Sequence, residues 1–257
     1  MSGTSEGYVP QLSALISEST GALLRSPSHS CRAEARRRLA RHSLLLVVSL
    51  SALIIALMLA FDAAEIGLMP PRGSPELWPV RIITDFGKDA YVLWALAAVF
   101  AVTVLAYPLV PSSRPALARL AIRVEYLFLA VALPVLAAQL IKWAAGRGRP
   151  FVGGRADAFN FVPFTGTEAY FSFPSGHAVT AFALAFAVTA IHPRLWVAAF
   201  AYALLIAVSR LVLLAHHPSD VVGGALVGIV GAMAVRYWFA ARRVGFDIQE
   251  DGKVTAL

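Results

Sequence analysis

Long apolar stretches at 43–61, 90–110, 120–139, 177–191, 195–215 and 221–240 alternate along the chain with short polar or basic segments. A helix of roughly 18 or more apolar residues crosses a hydrocarbon core of about 30 Å, and helices satisfy their backbone groups internally. The pattern therefore predicts an all-α, integral membrane helical bundle with about six transmembrane helices. The fourth stretch is the shortest. Pro134 is expected to kink the third helix, which neighbouring helices tolerate by satisfying the freed carbonyl. Between the first two spans, 75–86 mixes Leu77, Trp78, Val80, Ile82 and Ile83 with charges. That segment reads equally as a short interfacial helix or a structured loop. The organisation predicted is a basic cytoplasmic segment at 1–42, a six-span domain at 43–240 and a cytoplasmic tail at 241–257.

Composition agrees with this picture: of 257 residues, 58% are hydrophobic and 14% charged, more apolar surface than one soluble core of this length buries. In a soluble protein the net charge of +7 would suggest nucleic acid. Here the basic residues follow membrane sidedness. Arg25, Arg32, Arg36, Arg37, Arg38 and Arg41 precede the first span, Arg114, Arg119 and Arg123 the third, and Arg242, Arg243 and Lys253 follow the last. Under the positive-inside rule both termini are cytoplasmic, and 62–89, 141–175 and 216–220 lie outside. A cleavable signal peptide has an apolar core of about 7–15 residues near its start; this first run is longer and later, so an uncleaved span is expected. Cys31, the single cysteine, excludes an internal disulfide and a cysteine-based metal cluster.

Three outer segments hold candidate chemistry. Pro174-Ser175-Gly176-His177 stands directly before an apolar run and reads as a helix start, with Ser175 as cap. Its free N–H groups and positive dipole end favour an anion, and His177 beside them can move a proton. Lys142, Arg149 and Arg210 are cations at the ends of apolar helices; His216 and Asp220 lie just beyond the fifth span. Taken singly, each has a plainer reading: a lipid headgroup contact or snorkelling for the cations, a structural cap for Ser175, back-bonding within its helix for Ser209. Pro150 restricts Arg149 to an extended backbone. Pro218, between His216 and Asp220, places these two off a common helix face, with a helix starting near Pro218. His217 precedes that proline, and its plainer reading is an interfacial side chain.

Together, Lys142 with Arg149-Pro150, then Pro174-Ser175-Gly176-His177, then Ser209-Arg210 with His216 and Asp220, resemble the three-part signature of the type 2 phosphatidic acid phosphatase superfamily. That superfamily includes membrane lipid phosphatases and soluble vanadium haloperoxidases. The resemblance implies a phosphohistidine at His216, with Asp220 holding the other ring nitrogen and His177 as acid and then base. Lys142, Arg149, Arg210, Ser175 and the Gly176 N–H would hold the phosphate oxygens. It implies no metal and no cofactor, because three cations bring the charge a metal would supply. Expected partners are the bilayer and a lipid substrate: lipid A 1-phosphate, undecaprenyl pyrophosphate, phosphatidylglycerophosphate or phosphatidic acid, with the aromatic loop 161–173 similar to that of lipid A phosphatases. A bacterial inner membrane, with the site facing the periplasm or exterior, is the expected location. Arg155, Asp157, Phe161, Phe164 and Glu168 are placed to select the head group, and Asp85-Phe86-Gly87-Lys88 carries two readings, plain loop or substrate contact. Lipid phosphotransfer is the alternative activity. Halide oxidation is disfavoured by the spans, and an anion or lipid transporter leaves His177, His216 and Asp220 unexplained.

Overall fold

The structure, a computed structural model, describes residues 7–150, 152–154, 156–249 and 253–257. Its helices are α1 (Tyr8–Leu24), α2 (His29–Ala60), α3 (Asp62–Leu68), α4 (Trp78–Asp85), α5 (Asp89–Ala106), α6 (Arg114–Ala145), α7 (Gly176–Ile191), α8 (Trp196–Val212) and α9 (Pro218–Ala241). A two-stranded antiparallel hairpin, β1 (Phe246–Ile248) with β2 (Val254–Ala256), closes the chain. The segment with two readings at 75–86 forms a 3-10 turn, Pro75–Leu77, leading into α4.

Among the described residues, five segments are long and apolar enough to cross a membrane: His29–Ala60, Pro75–Ala106, Pro111–Ala145, Pro193–Val212 and Pro218–Ala241. The protein is an integral membrane helical bundle. The remaining expected span, α7, has 16 residues, which at 1.5 Å per residue reach only about 24 Å. Its length escapes the hydrocarbon constraint because it packs among α6, α8 and α9, burying Ala178 through Ala183 with Ala185 and Ala187. The lipid-facing shell is inverted relative to a soluble protein: on α2, Leu44, Leu45, Val48, Ile55 and Leu59 are exposed. Where lipid is the solvent, that exposure carries no hydrophobic cost.

The termini are more structured than a polar flank and tail require. In α1, Leu23 joins the central core, and Tyr8 donates to the Leu105 carbonyl at 3.0 Å. The tail hairpin buries Phe246 against Tyr126, their ring centroids 4.6 Å apart. Both contacts pair residues more than ninety positions apart, beyond the reach of local periodicity.

What positions the site is the crossing of α7 and α9. A Cβ on Gly224 would lie 2.6 Å from the Ser175 carbonyl oxygen, and one on Gly228 would lie 2.5 Å from that of Val179. Only glycine lets the two backbones approach this closely, and close packing drives helix association in lipid. The starts of α7 and α9 are thereby brought together, and the Ser175 N–H donates to the Asp220 carbonyl at 2.9 Å. Since α6 and α8 end where α7 and α9 begin, all three motif segments meet at one end of the bundle.

Candidate active site

Lys142 stands in the last turn of α6, 8% exposed. The helix ends at Gly146, whose φ of 55° is left-handed and where a Cβ would lie 2.0 Å from the Val162 carbonyl oxygen. The chain beyond is laced to the returning loop. Gly148 N–H donates to Asn160 O at 2.8 Å, Arg149 N–H to Ala169 O at 2.9 Å, and Ser172 N–H to Arg147 O at 3.0 Å.

Ser175 occupies the cap position of α7, but its Oγ makes no capping bond and is buried without a partner among the described residues. The first-turn N–H groups are therefore not consumed by that side chain. Lys142 Nζ lies 3.0 Å from the point where a Gly176 Cβ would stand, so glycine leaves room for the ammonium against the helix start. A cation facing a positive dipole end is unfavourable by itself and becomes favourable when an anion lies between them.

On α8, Arg210 Nη1 donates to Thr84 Oγ1 at 2.9 Å, while its Nε is buried with no partner among the described residues. The Ser209 hydroxyl turns back to the Ile206 carbonyl at 2.6 Å. His216 is 2% exposed, with Nδ1 at 2.9 Å from the Ser172 carbonyl oxygen. A carbonyl can only accept, so Nδ1 carries the hydrogen and Nε2 holds the free lone pair. Burial, then Arg210, Arg149, Lys142 and His177, hold the His216 pKa well below its ordinary value. The ring is a neutral imidazole surrounded by the predicted cations.

Pro218 is the first residue of α9 and His217 its cap. His217 is fully buried rather than interfacial, with Asp62, Asp220 and Arg147 as its charged neighbours. One expectation changes more substantially. Asp220 Oδ2 lies 3.9 Å from His216 Nδ1, beyond hydrogen-bond distance, and the Ser172 carbonyl takes that nitrogen instead. The Ser172 hydroxyl donates to Asp220 Oδ2 at 2.6 Å, so the carboxylate reaches the imidazole through Ser172.

His177 has a buried Nε2 with no partner among the described residues. Its Cδ2 would be 3.3 Å from a Cβ on Gly87, which also has no room for one beside Ile206. In the 85–88 segment, Gly87 abuts His177 and Asp85 pairs with Lys88 at 2.8 Å. Arg149 donates through Nε to the Glu168 carbonyl at 3.0 Å and through Nη2 to its carboxylate at 3.2 Å. Glu168 is 92% exposed at its side chain, a counterion that an incoming phosphate can displace. Phe161 lies under Arg147, Phe164 packs edge-on against Trp143 and Asp157 accepts from the Phe159 N–H. Arg155 lies outside the described residues.

Sequence reasoning assigned no role to Thr84, Ser172, Ser219, Arg147, Asp62 and Glu65. The last two carried a signal, as carboxylates placed at the end of an apolar span. Glu65 is 1% exposed, and neither carboxylate oxygen has a partner among the described residues. Burial first, then Asp62 and Asp220, push its pKa from the usual 4.5 up to about 7. A raised carboxyl pKa contributes stability that is fully present below 4.5 and lost as pH rises through 7. The loss should approach about 3 kcal/mol at roughly 1.4 kcal/mol per tenfold change. Glu65→Gln is expected to flatten the decline and raise the melting temperature at pH 8. Unfolding in detergent at pH 4.5, 6 and 8 measures it; an unchanged pH dependence in the variant would remove Glu65 as its source.

Residues 123–243, which contain all three motif segments, match the PAP2 superfamily. The chain is 33% identical over 213 residues to a lipid A 1-phosphatase of Rhizobium johnstonii, covering 80% of this chain and 84% of that protein. It is 31% identical over 224 residues to a lipid A 1-phosphatase of Rhizobium etli, covering 80% of this chain and 95% of the relative. In fold it is similar to the crystal structure of a transmembrane PAP2-type phosphatidylglycerolphosphate phosphatase from Bacillus subtilis. The TM-score is 0.54 at 21% identity, covering 76% of this chain and 94% of the other. The membrane bundle and these relatives define an integral membrane lipid phosphatase. The chain belongs to the PAP2 superfamily.

Proposed function

We propose that the protein removes the 1-phosphate of lipid A, or of a closely similar glycolipid, at the outer face of a bacterial inner membrane by way of a phosphohistidine at His216. The observation that carries the chemistry is the His216 tautomer: with Nδ1–H given to the Ser172 carbonyl, Nε2 is left as a neutral nucleophile. Nε2 attacks phosphorus as the bond to the lipid oxygen breaks, and His177, as imidazolium, gives its proton to that oxygen. Water then attacks the phosphohistidine, His177 takes a proton from it, the P–N bond breaks and inorganic phosphate leaves. Lys142, Arg149 and Arg210, with the Ser175 hydroxyl and the Gly176 N–H, hold the equatorial oxygens where charge spreads in the transition state. Arg149 exchanges Glu168 for the phosphate. These cations make the reaction metal-independent.

The relatives' names support the substrate. Sidedness is supported by the basic residues Arg32, Arg36, Arg114, Arg119, Arg242 and Arg243, which lie at the starts of α2 and α6 and the end of α9, opposite the site. The six-span domain at 43–240 then carries the whole site, with both termini cytoplasmic. Phosphate release by the purified protein should be compared across lipid A 1-phosphate, phosphatidylglycerophosphate, undecaprenyl pyrophosphate and phosphatidic acid. The expected result is kcat/KM at least about tenfold higher on lipid A 1-phosphate, worth about 1.4 kcal/mol of transition-state discrimination. Activity should persist in EDTA and be blocked by vanadate, which mimics the five-coordinate transition state. Equal rates on all four lipids would sink the substrate assignment, and loss in EDTA restored by magnesium would sink the metal-free mechanism.

A further inference from the structure

Behind the reacting groups lies a buried ionic cluster that the phosphate-binding and proton-transfer roles leave unused. Arg147, 1% exposed, donates from Nη1 to Asp220 Oδ1 at 2.7 Å and from Nη2 to Asp62 Oδ2 at 2.8 Å. The remaining donors of its guanidinium go to the Ala158 carbonyl and to the Ser219 hydroxyl. Asp62 is fully buried and accepts from the Ser219 N–H at 3.0 Å and, in a short contact, from the Ser219 hydroxyl. Asp62 opens α3, immediately after the first span, whereas Arg147 lies within the first motif and Asp220 closes the third.

We propose that Asp62 and Arg147 are positioning residues for the reaction, aligning the nucleophilic ring through Asp220 and Ser172; this rests on the reading that His216 is the nucleophile. A carboxylate can rotate among acceptor arrangements, and Arg147 removes that freedom. Its planar fork fixes Asp220 Oδ1 and directs Oδ2 to the Ser172 hydroxyl and the His217 N–H. Ser172 is then held on two sides, its N–H bonded to the Arg147 carbonyl at 3.0 Å and its hydroxyl to Asp220 at 2.6 Å. Its carbonyl, so fixed, points at His216 Nδ1 and sets both tautomer and ring plane. Asp62 anchors the other end of the guanidinium from an element outside the three motifs. Buried ion pairs are often no more stable than apolar side chains of the same size, so stability is a weak reason for this cluster, and alignment of a reacting ring is a stronger one.

The test is a pair of variants and their combination, assayed as purified full-length protein well below their unfolding temperatures. Asp62→Asn keeps the shape and removes the charge. It is expected to lower kcat about 10–100-fold with KM within about twofold of the parent, the range of losses when an orienting partner is removed. Because Asp62 acts through Asp220, Asp62→Asn combined with Asp220→Asn should be no slower than Asp220→Asn alone. If Asp62→Asn does not fold, Arg147→Lys replaces it, keeping the charge and losing the two-pronged geometry. An unchanged kcat per folded molecule, or losses that multiply in the double variant, would overturn the proposal while leaving His216 as nucleophile. Full activity in Asp220→Asn would overturn the proposal too, and would place the failure in the underlying reading of the site.

Discussion

His216→Gln is expected to abolish both turnover and covalent phosphoenzyme, a loss of about 10,000-fold or more, because on the proposed mechanism it removes the nitrogen that attacks phosphorus. Its neighbour is the informative control. His217 is fully buried at the cap of α9, and its backbone N–H donates to Asp220 Oδ2 at 2.9 Å. Burial lowers its pKa, with Asp220 opposing. His217→Gln preserves the backbone bond and should lower thermal stability while phosphoenzyme still forms. The measurement is trapping of labelled phosphoenzyme without acid, since phosphohistidine is acid-labile, followed by peptide mapping. Label that persists in His216→Gln and disappears in His217→Gln would move the nucleophile by one residue.

The helical bundle was legible in the chain because each span is a local, one-dimensional signal of apolar length, and the motif residues were legible because their spacing is local too. Lys142, Ser175, Gly176, His177, Arg210 and His216 accordingly read straight from sequence into one end of the bundle. What stayed hidden is pairing between distant segments. Arg147 and Asp62 are 85 positions apart, Arg210 and Thr84 are 126 apart, and no periodicity links either pair. The Ser172 carbonyl is hidden for a different reason. A backbone acceptor has no residue-type signature, so a motif containing aspartate invites the assumption that aspartate touches the imidazole. Likewise Gly87 matters by the side chain it lacks, which shows only once His177 and Ile206 are seen against it. Helix α1 and the closing hairpin were lost because polar and short apolar stretches carry weak patterns; their packing on Leu105 and Tyr126 is tertiary.

His177→Ala should separate substrates by their leaving groups. A lipid alkoxide leaving from a phosphate monoester is a strong base and needs a proton as the P–O bond breaks, whereas the phosphate leaving from a pyrophosphate is a far weaker base. Removing a positioned acid costs typically 100–10,000-fold where the proton is needed, so the monoester should lose about 1000-fold and the pyrophosphate distinctly less. The geometry allows this role: His177 Nε2 is buried and committed to no partner among the described residues, on a ring braced by the close approach of Gly87. On the proposed mechanism, hydrolysis of the phosphohistidine uses the same residue as base, so steady-state rates on the two substrates converge if that step limits both. The comparison is therefore made in the first turnover, by rapid quench with phosphatidic acid and with undecaprenyl pyrophosphate, following phosphoenzyme formation alone. Equal losses in that first step would take His177 out of the leaving-group role. A larger loss on the monoester, with phosphoenzyme accumulating on the pyrophosphate, would assign His177 both proton transfers.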